Sequence, residues 1–475
     1  MKPFNQIYKD NKIEIYLLIA LTVVAIATRF YNIDNQILWW DEFGTHFFSK
    51  WNFDDIAKTD NNSPTYYLLE GWIVKTFGKT ELSIKFVSAL FGALCVPLMY
   101  LISEKLFSSK KVAFVTSLLT LLSPVLIFYS QEARGFSFAM FFYLVSFLAF
   151  LFIISNNSWA SWLTYAICGA ISIHIQYVFA IPFVIFSLFI LIWLVKNIIT
   201  EIKKGSRPSG ITKPIVSVLL FTICVSPIAY AITYSFKTSI SLPGTWYTGR
   251  GLINAMLSNF LFEDGYIVLT LIILMLIGLS YLLAEKTDKC LLLLALSVIP
   301  IVIMLILSPQ THVHQRYMLY IAPIFYIIAA TPLLILNDKK KITNIVIVAI
   351  CSFSLIFAVC PVLDQYYSEP QTGNFKELSG ILDNNIEDGD CIVYCPMWLY
   401  WGFEGGLSFY YDSENKSTPI LKVDNLDQLM PIIDDPQYNN VYVLLYSTND
   451  IDEWAQSSGR AEKIYHGCVI AYKIS

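Results

Sequence analysis

The chain has 475 residues, a formal net charge of −4, 56% apolar and 14% charged residues, and a mean hydropathy of +0.57. A soluble globular domain carries roughly 25% charged residues. This composition therefore excludes a soluble enzyme, a disordered chain, a coiled coil and a nucleic-acid binder that relies on bulk positive charge.

A membrane span takes about 20 mostly apolar residues. Eleven stretches are read as spans: 15–30, 82–102, 112–129, 136–154, 160–175, 177–195, 214–233, 266–284, 289–307, 317–336 and 342–362. The first lacks a small-residue cleavage site and reads as a retained span rather than a signal peptide. The fifth is short and holds Ser172 and His174. With a cytoplasmic N-terminus, 16 of the 32 Lys and Arg residues fall in tight clusters on the inner side, such as Lys105, Lys110, Lys111 and Lys339–Lys341. The excess of basic residues in inner loops favours this orientation, and eleven spans then leave the C-terminus outside.

The expected fold is an all-α polytopic membrane protein of about eleven transmembrane helices. It has interfacial helices in the first outer loop and a small C-terminal α/β extracytoplasmic domain. Two domains follow, 1–362 in the membrane and 363–475 outside it. In the tail, strand-like runs at Cys391–Tyr394 and Val441–Tyr446 alternate with helix-like runs at Asn374–Asp383 and Ile451–Ser457. Of nine cysteines, six lie in spans as apolar fillers. Cys391, Cys395 and Cys468 allow one tail disulfide, and no cysteine spacing suits a metal.

Ionisable groups are nearly absent from the span centres, where a transporter needs them. They collect at span ends on the predicted outer side. In the first outer loop, Leu38-Trp39-Trp40-Asp41-Glu42 precedes an amphipathic helix with Phe43, Phe47 and Trp51 on one face and Glu42, His46 and Lys50 on another. Such a helix can lie in the interface plane with its aromatics down. Asp41 and Glu42 suit its N-terminal dipole, and serve equally as a plain helix start. Ser63-Pro64-Thr65-Tyr66-Tyr67 opens a second interfacial helix, with Pro64 in its first turn. The next outer connection, Tyr129-Ser130-Gln131-Glu132-Ala133-Arg134-Gly135, sets a carboxylate and a guanidinium two residues apart. They either pair with each other or face the first loop. His174 sits in the third outer turn, and His312, His314 and Arg316 in the fifth. Arg316, at the mouth of a span, is placed either to hold a lipid phosphate bidentately or to snorkel among headgroups.

Trp40-Asp41-Glu42, Ser63-Pro64-Thr65-Tyr66-Tyr67, Gln131-Glu132-Ala133-Arg134-Gly135 and Arg316-Tyr317 together resemble the membrane glycosyltransferases of the GT-C superfamily. The likeness is to the glycosyltransferase family 39-like, lipopolysaccharide galacturonosyltransferase-like group, related to protein O-mannosyltransferases. It is dense over 29–140, sparse over the later spans and absent in detail after 362. The resemblance implies an enzyme, a hexosyl- or pentosyltransferase. It would use a polyprenyl-phosphate sugar on the outer face of the cell membrane, acting on a lipid, glycan or protein acceptor. No nucleotide-sugar site is then needed, and no glycine-rich phosphate loop is visible.

The chemistry suits these residues. An acceptor hydroxyl must lose its proton as an oxocarbenium-like centre develops, and a carboxylate can take it. The leaving phosphate needs positive charge rather than a proton. By match to the family's loop motif Asp41 is the base, with Glu42 an orienter and Glu132 a second acid. Arg134 and Arg316 would neutralise the phosphate, and His174, Tyr66, Tyr67 and His312 would line the substrate site. One base and no carboxylate nucleophile imply a single displacement with inversion. The resemblance leaves a divalent cation open, since some GT-C members use one at the acidic loops and others do not. Here Asp41, Glu42, Glu132 and His312 are the residues that would hold Mg²⁺ or Mn²⁺. The alternative is a lipid-linked-sugar carrier, flippase or polymerase-like protein without an Asp base, which mid-span charges and paired repeats would favour.

Overall fold

A computed structural model describes residues 12–34, 37–205, 210–241, 248–310, 313–336, 341–368, 375–396, 399–412, 416–467 and 469–474. Nine helices among them are long and apolar enough to cross a membrane, or ten if one bent pair counts as a span. Each matches an expected stretch: Lys12–Phe30, Glu81–Phe107, Phe136–Asn156, Tyr177–Lys203, Thr212–Ser235, Gly265–Glu285, Thr287–Leu307, Gln315–Ile335 and Ile342–Ser368. The remaining expected span is the apolar helix Trp159–Ile175, whose 17 residues reach only about 25 Å at 1.5 Å per residue. Gln315–Ile335 is the most buried of these helices and Ile342–Ser368 the least. Exposed Val23, Leu191, Leu276, Val302 and Phe353 ring the bundle, as a lipid-facing surface requires.

The bent pair, Lys110–Leu122 and Pro124–Ser130, turns by 57°. Pro124 has no N–H to donate to the carbonyl four residues back, so the ladder breaks there. In an apolar medium the freed carbonyls need partners. Arg29, fully buried at the end of the first span, supplies them: its guanidinium donates to the Thr120 carbonyl at 2.9 Å and the Leu121 carbonyl at 2.7 Å. The Gln131 amide then donates to the carbonyls of Arg29 (3.0 Å) and Tyr31 (2.8 Å), and Tyr366 donates to its oxygen at 2.7 Å. These bonds pin the connection after the bend against the exit of the first span.

The tail carries a five-stranded sheet: β1 Cys391–Cys395, β2 Ile420–Lys422, β3 Val441–Leu445, β4 Ala461–His466 and β5 Ile470–Ile474. The order is β2-β1-β3-β5-β4, with β1 parallel to β2 and β3, and β5 antiparallel to β3 and β4. Both faces of β1 and β3 are covered, so these strands read as continuous apolar runs. Cys391, Val393, Val441 and Val443 pack with Leu429 and Ile451 on one side. Ile392, Tyr394, Tyr442 and Leu444 share a core with Leu38, Phe43, Ile84 and Ala133 on the other. The sheet domain is thus welded to the first outer loop. Cys391 and Cys395 are buried, and Cys468 lies outside the described residues.

The first outer helix, Trp40–Phe48, differs from the expected interfacial helix with its aromatics toward lipid. Its apolar face is covered by the tail. Trp40 meets Phe403 and Tyr446, each at 5.3 Å between ring centroids, and Phe43 meets Phe375 at 5.2 Å. The crossing with Tyr400–Gly406 is close because both helices place glycines in it. A Cβ on Gly405 would sit 2.2 Å from the Phe43 carbonyl oxygen. An amphipathic stripe specifies that a face must be covered, and protein meets that need here as well as lipid.

Candidate active site

The site forms where three distant segments meet: residues 38–45, residues 129–135, and the turn leading into Gln315–Ile335. Trp39 and Asp41 come from the start of the first outer helix. Glu132 and Arg134 come from the short turn before Phe136–Asn156. Arg316 opens the most buried span, preceded by His314, whose Nδ1 accepts from the Arg316 backbone N–H at 3.2 Å.

Asp41 and Arg316 form a direct ion pair and hydrogen bond, both half-buried at the edge of the cluster. Burial pushes the Asp41 carboxyl up. The guanidinium groups of Arg316 and Arg134 outweigh that and hold it below the usual carboxylate range. The Arg316 guanidinium lies 5.8 Å from the rings of Phe136 and Tyr317 and 5.9 Å from that of Trp39, in an aromatic collar that keeps it from bulk water.

Glu132 is buried, and neither carboxyl oxygen has a hydrogen-bond partner among the described residues. Its carboxyl is pushed up to about 8, chiefly by burial; Arg316 pulls it down, and Glu42 and Asp41 push it further up. It holds its proton more tightly than an ordinary carboxyl, and in that form it can donate one hydrogen bond.

Glu42 is also buried but fully engaged. Oε1 accepts from the Ala133 N–H at 2.6 Å and Oε2 from the Trp39 N–H at 3.1 Å, while Lys85 Nζ stands 3.9 Å away. It ties the loop before Asp41 to the turn that carries Glu132. Burial raises its carboxyl, against the lowering by Lys85 and the two backbone donors.

Arg134 Nη1 donates to the Asp41 carbonyl (3.2 Å), Thr45 Oγ1 (3.2 Å) and Tyr67 Oη (3.3 Å). Its charge is held by Tyr67 and Asp41 against the cost of burial, so it remains protonated. Tyr67 donates to Asp60 at 2.5 Å, completing a strut from the second interfacial helix to the backbone of Asp41. Tyr66 Oη shares a 3.0 Å bond with Ser88, whose Oγ donates to the Arg134 carbonyl at 2.8 Å.

The structure thus brings together Asp41, Glu42, Glu132, Arg134, Arg316, Tyr66 and Tyr67. The arginines split: Arg316 pairs with the Asp41 carboxylate, while Arg134 braces the backbone beneath it. Glu132 and Arg134 do not pair with each other. His174 points elsewhere, its Nε2 bonded to the Cys224 carbonyl at 2.6 Å. His312 lies outside the described residues. Among the described residues no three His, Cys, Asp or Glu side chains are grouped as a metal site. Of the residues expected to hold a divalent ion, Asp41 is paired with Arg316 in this structure, and His312 is not among the described residues.

Sequence reasoning missed Lys85, Thr45, Ser88 and Glu70, and placed His46 only on the polar face of the first outer helix. Glu70 and His46 are buried with no partner for any side-chain polar atom among the described residues. Burial holds Glu70 neutral, pushing it well above its usual value, and pushes His46 down to about 3. A lysine four positions into an apolar run, Lys85 in Glu81–Phe107, was the one signal that could have been followed.

Residues 61–230 match the family of dolichyl-phosphate-mannose-protein mannosyltransferases. No curated protein matches the chain in sequence. Among solved structures, ArnT from Cupriavidus metallidurans in the apo state is similar at a TM-score of 0.65 and 11% identity, over 97% of this chain and 98% of that one. The same protein bound to undecaprenyl phosphate is similar at 0.62 and 11%, over 96% and 98%. The archaeal oligosaccharyltransferase AglB from Archaeoglobus fulgidus, in complex with an inhibitory peptide and a dolichol-phosphate, is similar at 0.57 and 12%, over 92% and 70%. The chain has the GT-C fold of these glycosyltransferases, tail domain included.

Proposed function

We propose that this chain is a multi-pass membrane glycosyltransferase that moves a sugar from a polyprenyl-phosphate donor to a lipid, glycan or protein acceptor, with Asp41 as its base. The observation that supports this reading is the Asp41–Arg316 pair, a carboxylate and a guanidinium in contact at the mouth of a span. A polyprenyl phosphate keeps its chain in the bilayer and its charge at the depth where Arg316 stands. Its phosphate competes with Asp41 for the same guanidinium, so donor entry frees the carboxylate as it seats the leaving group.

The acceptor hydroxyl then gives its proton to Asp41. Its oxygen bonds to the anomeric carbon as the bond from that carbon to the phosphate oxygen breaks, and the electron pair leaves with the phosphate. Arg316 takes up the growing negative charge. Glu132, as a neutral acid, donates a hydrogen bond to a phosphate oxygen without adding negative charge beside it. Glu42 and Arg134 hold the loops that aim Asp41. One displacement inverts the anomeric centre.

The N-terminus is on the cytoplasmic side of the cell membrane and the tail outside, which reporter fusions at Gly205 and Ser475 test. The decisive assay follows release of polyprenyl phosphate from a polyprenyl-phosphate hexose by the purified protein. It is paired with mass spectrometry of glycolipids and glycoproteins from cells with and without the gene. A protein that releases no lipid phosphate, in cells whose glycans do not change, ends the proposal.

A further inference from the structure

At the end of the first outer helix opposite to Asp41 lies a concavity. It is a cavity of about 490 Å³ between the loop that follows this helix and the tail domain. Phe47, Lys50 and Trp51 form one wall, and Tyr394, Glu404 and Thr418 face them from the tail. The size is within the roughly 300–1,000 Å³ of small-molecule sites. Phe47 lies six residues past Asp41, about 9 Å along the helix axis at 1.5 Å per residue. The cavity is therefore set back from the reacting centre but mounted on the same rigid element.

Its walls are tied down. Trp51 packs on Phe47 at 5.2 Å and on Phe48 at 5.3 Å. Lys79 reaches across to the tail, donating to the Ser408 carbonyl at 2.6 Å and pairing with Asp412 at 2.7 Å. Tyr394 donates to Glu404 at 2.5 Å, which orients the carboxylate and leaves it capacity for further donors.

The chemistry of the lining selects the ligand. A phosphate would meet the Glu404 carboxylate, with only Lys50 to balance it. A lipid chain would desolvate both charges for no return. A sugar ring offers apolar C–H faces to stack on the negative faces of aromatic rings, and hydroxyls at its edge for a carboxylate, an ammonium and a hydroxyl. We propose that this cavity is an acceptor subsite for a carbohydrate unit set back from the one that receives the sugar. The acceptor is then a glycan or glycolipid rather than a peptide. The proposal rests on the glycosyltransferase reading above.

The test uses the full chain in detergent, with Asp41→Asn added so that nothing turns over. The probes are oligosaccharides released by mild acid from envelope glycolipids of cells lacking the gene, and tryptic peptides from the same envelopes. Saturation-transfer NMR is expected to show sugar-ring protons in contact with the protein, lost in Trp51→Leu and weakened about fivefold in Glu404→Gln, with no peptide signal. Trp51→Leu removes the stacking ring; Glu404→Gln keeps the shape, so it reports even if the first variant unfolds. With Asp41 intact, Trp51→Leu is expected to raise the acceptor KM about tenfold, the scale of one lost aromatic contact, with kcat and the donor KM within about twofold. Sugar contacts that persist in both variants, absent sugar contacts, or peptide binding in their place overturn the subsite. Failure of donor turnover with sugar binding retained overturns the enzyme reading, and with it the acceptor role, and leaves a carbohydrate-binding cavity.

Discussion

Asp41 and Glu42 are adjacent in the chain, yet the regions they enter are built on opposite terms. Glu42 enters a brace: its two oxygens take two backbone N–H groups, with Lys85 beside it and Arg134 bonded to the same loop. Asp41 enters an edge where polar groups are left over. Both oxygens of Glu132 lack partners among the described residues, and so do the Nε atoms of Arg316 and Arg134. A buried polar group with no partner costs about 1–3 kcal/mol. A satisfied cluster of this kind rigidifies the loops, whereas an unsatisfied one is ready for a ligand that brings the missing partners.

The sharpest way to break this contrast is at Asp41. Asp41→Asn keeps size and polarity but takes no proton, so turnover should fall by about 10²–10⁴ with thermal stability and donor binding largely kept. If turnover survives within about tenfold, the reactive edge lies elsewhere. The converse test is Glu42→Ala, which takes away the acceptor of two buried backbone donors and the carboxylate beside Lys85. It should cost about 3–5 kcal/mol of stability, read as a lowered melting temperature in detergent. A variant as stable as the parent would show that the brace braces nothing.

Arg316→Lys keeps the charge but loses the planar fork. Turnover should fall about tenfold and donor affinity less, because the contact strengthens as the phosphate leaves. An equal loss in binding and turnover would make Arg316 a simple anchor. The smallest effect is expected from Glu132→Gln, which mimics the neutral acid. With the carboxyl raised to about 8, the group is neutral below that pH and charged above it. Activity should therefore decline as pH rises through about 8 in the parent. It should stay flat there in the variant, with no more than a few-fold change at pH 7. The same sign holds for stability: the folded form binds this proton more tightly than the unfolded one, so this group's contribution falls as pH rises from the ordinary carboxyl value toward 8.

The apolar runs alone determined the membrane helices, because a span is a local property of about 20 residues and the bilayer imposes it segment by segment. They also located two of the five strands of the tail, Cys391–Cys395 and Val441–Leu445, whereas the stretch 112–129 reads as one unbroken span and its bend at Pro124 came only from the structure. The loop motifs located the candidate site, since Asp41-Glu42 and Glu132-Ala133-Arg134 stand out as charges at the ends of apolar runs. Which of those charges is a brace and which is free to react was not legible, because that depends on partners far away in the chain. Glu42 is decided by Ala133 and Lys85, Arg134 by Thr45 and Tyr67, and Asp41 by Arg316, 275 residues on. The aromatic stripe of the first outer helix was visible from its four-residue spacing. A stripe states only that a face must leave water. That the tail domain, rather than lipid, covers it follows from glycines at Gly44, Gly402 and Gly405 that let the two helices touch, and only the tertiary structure brings those three together.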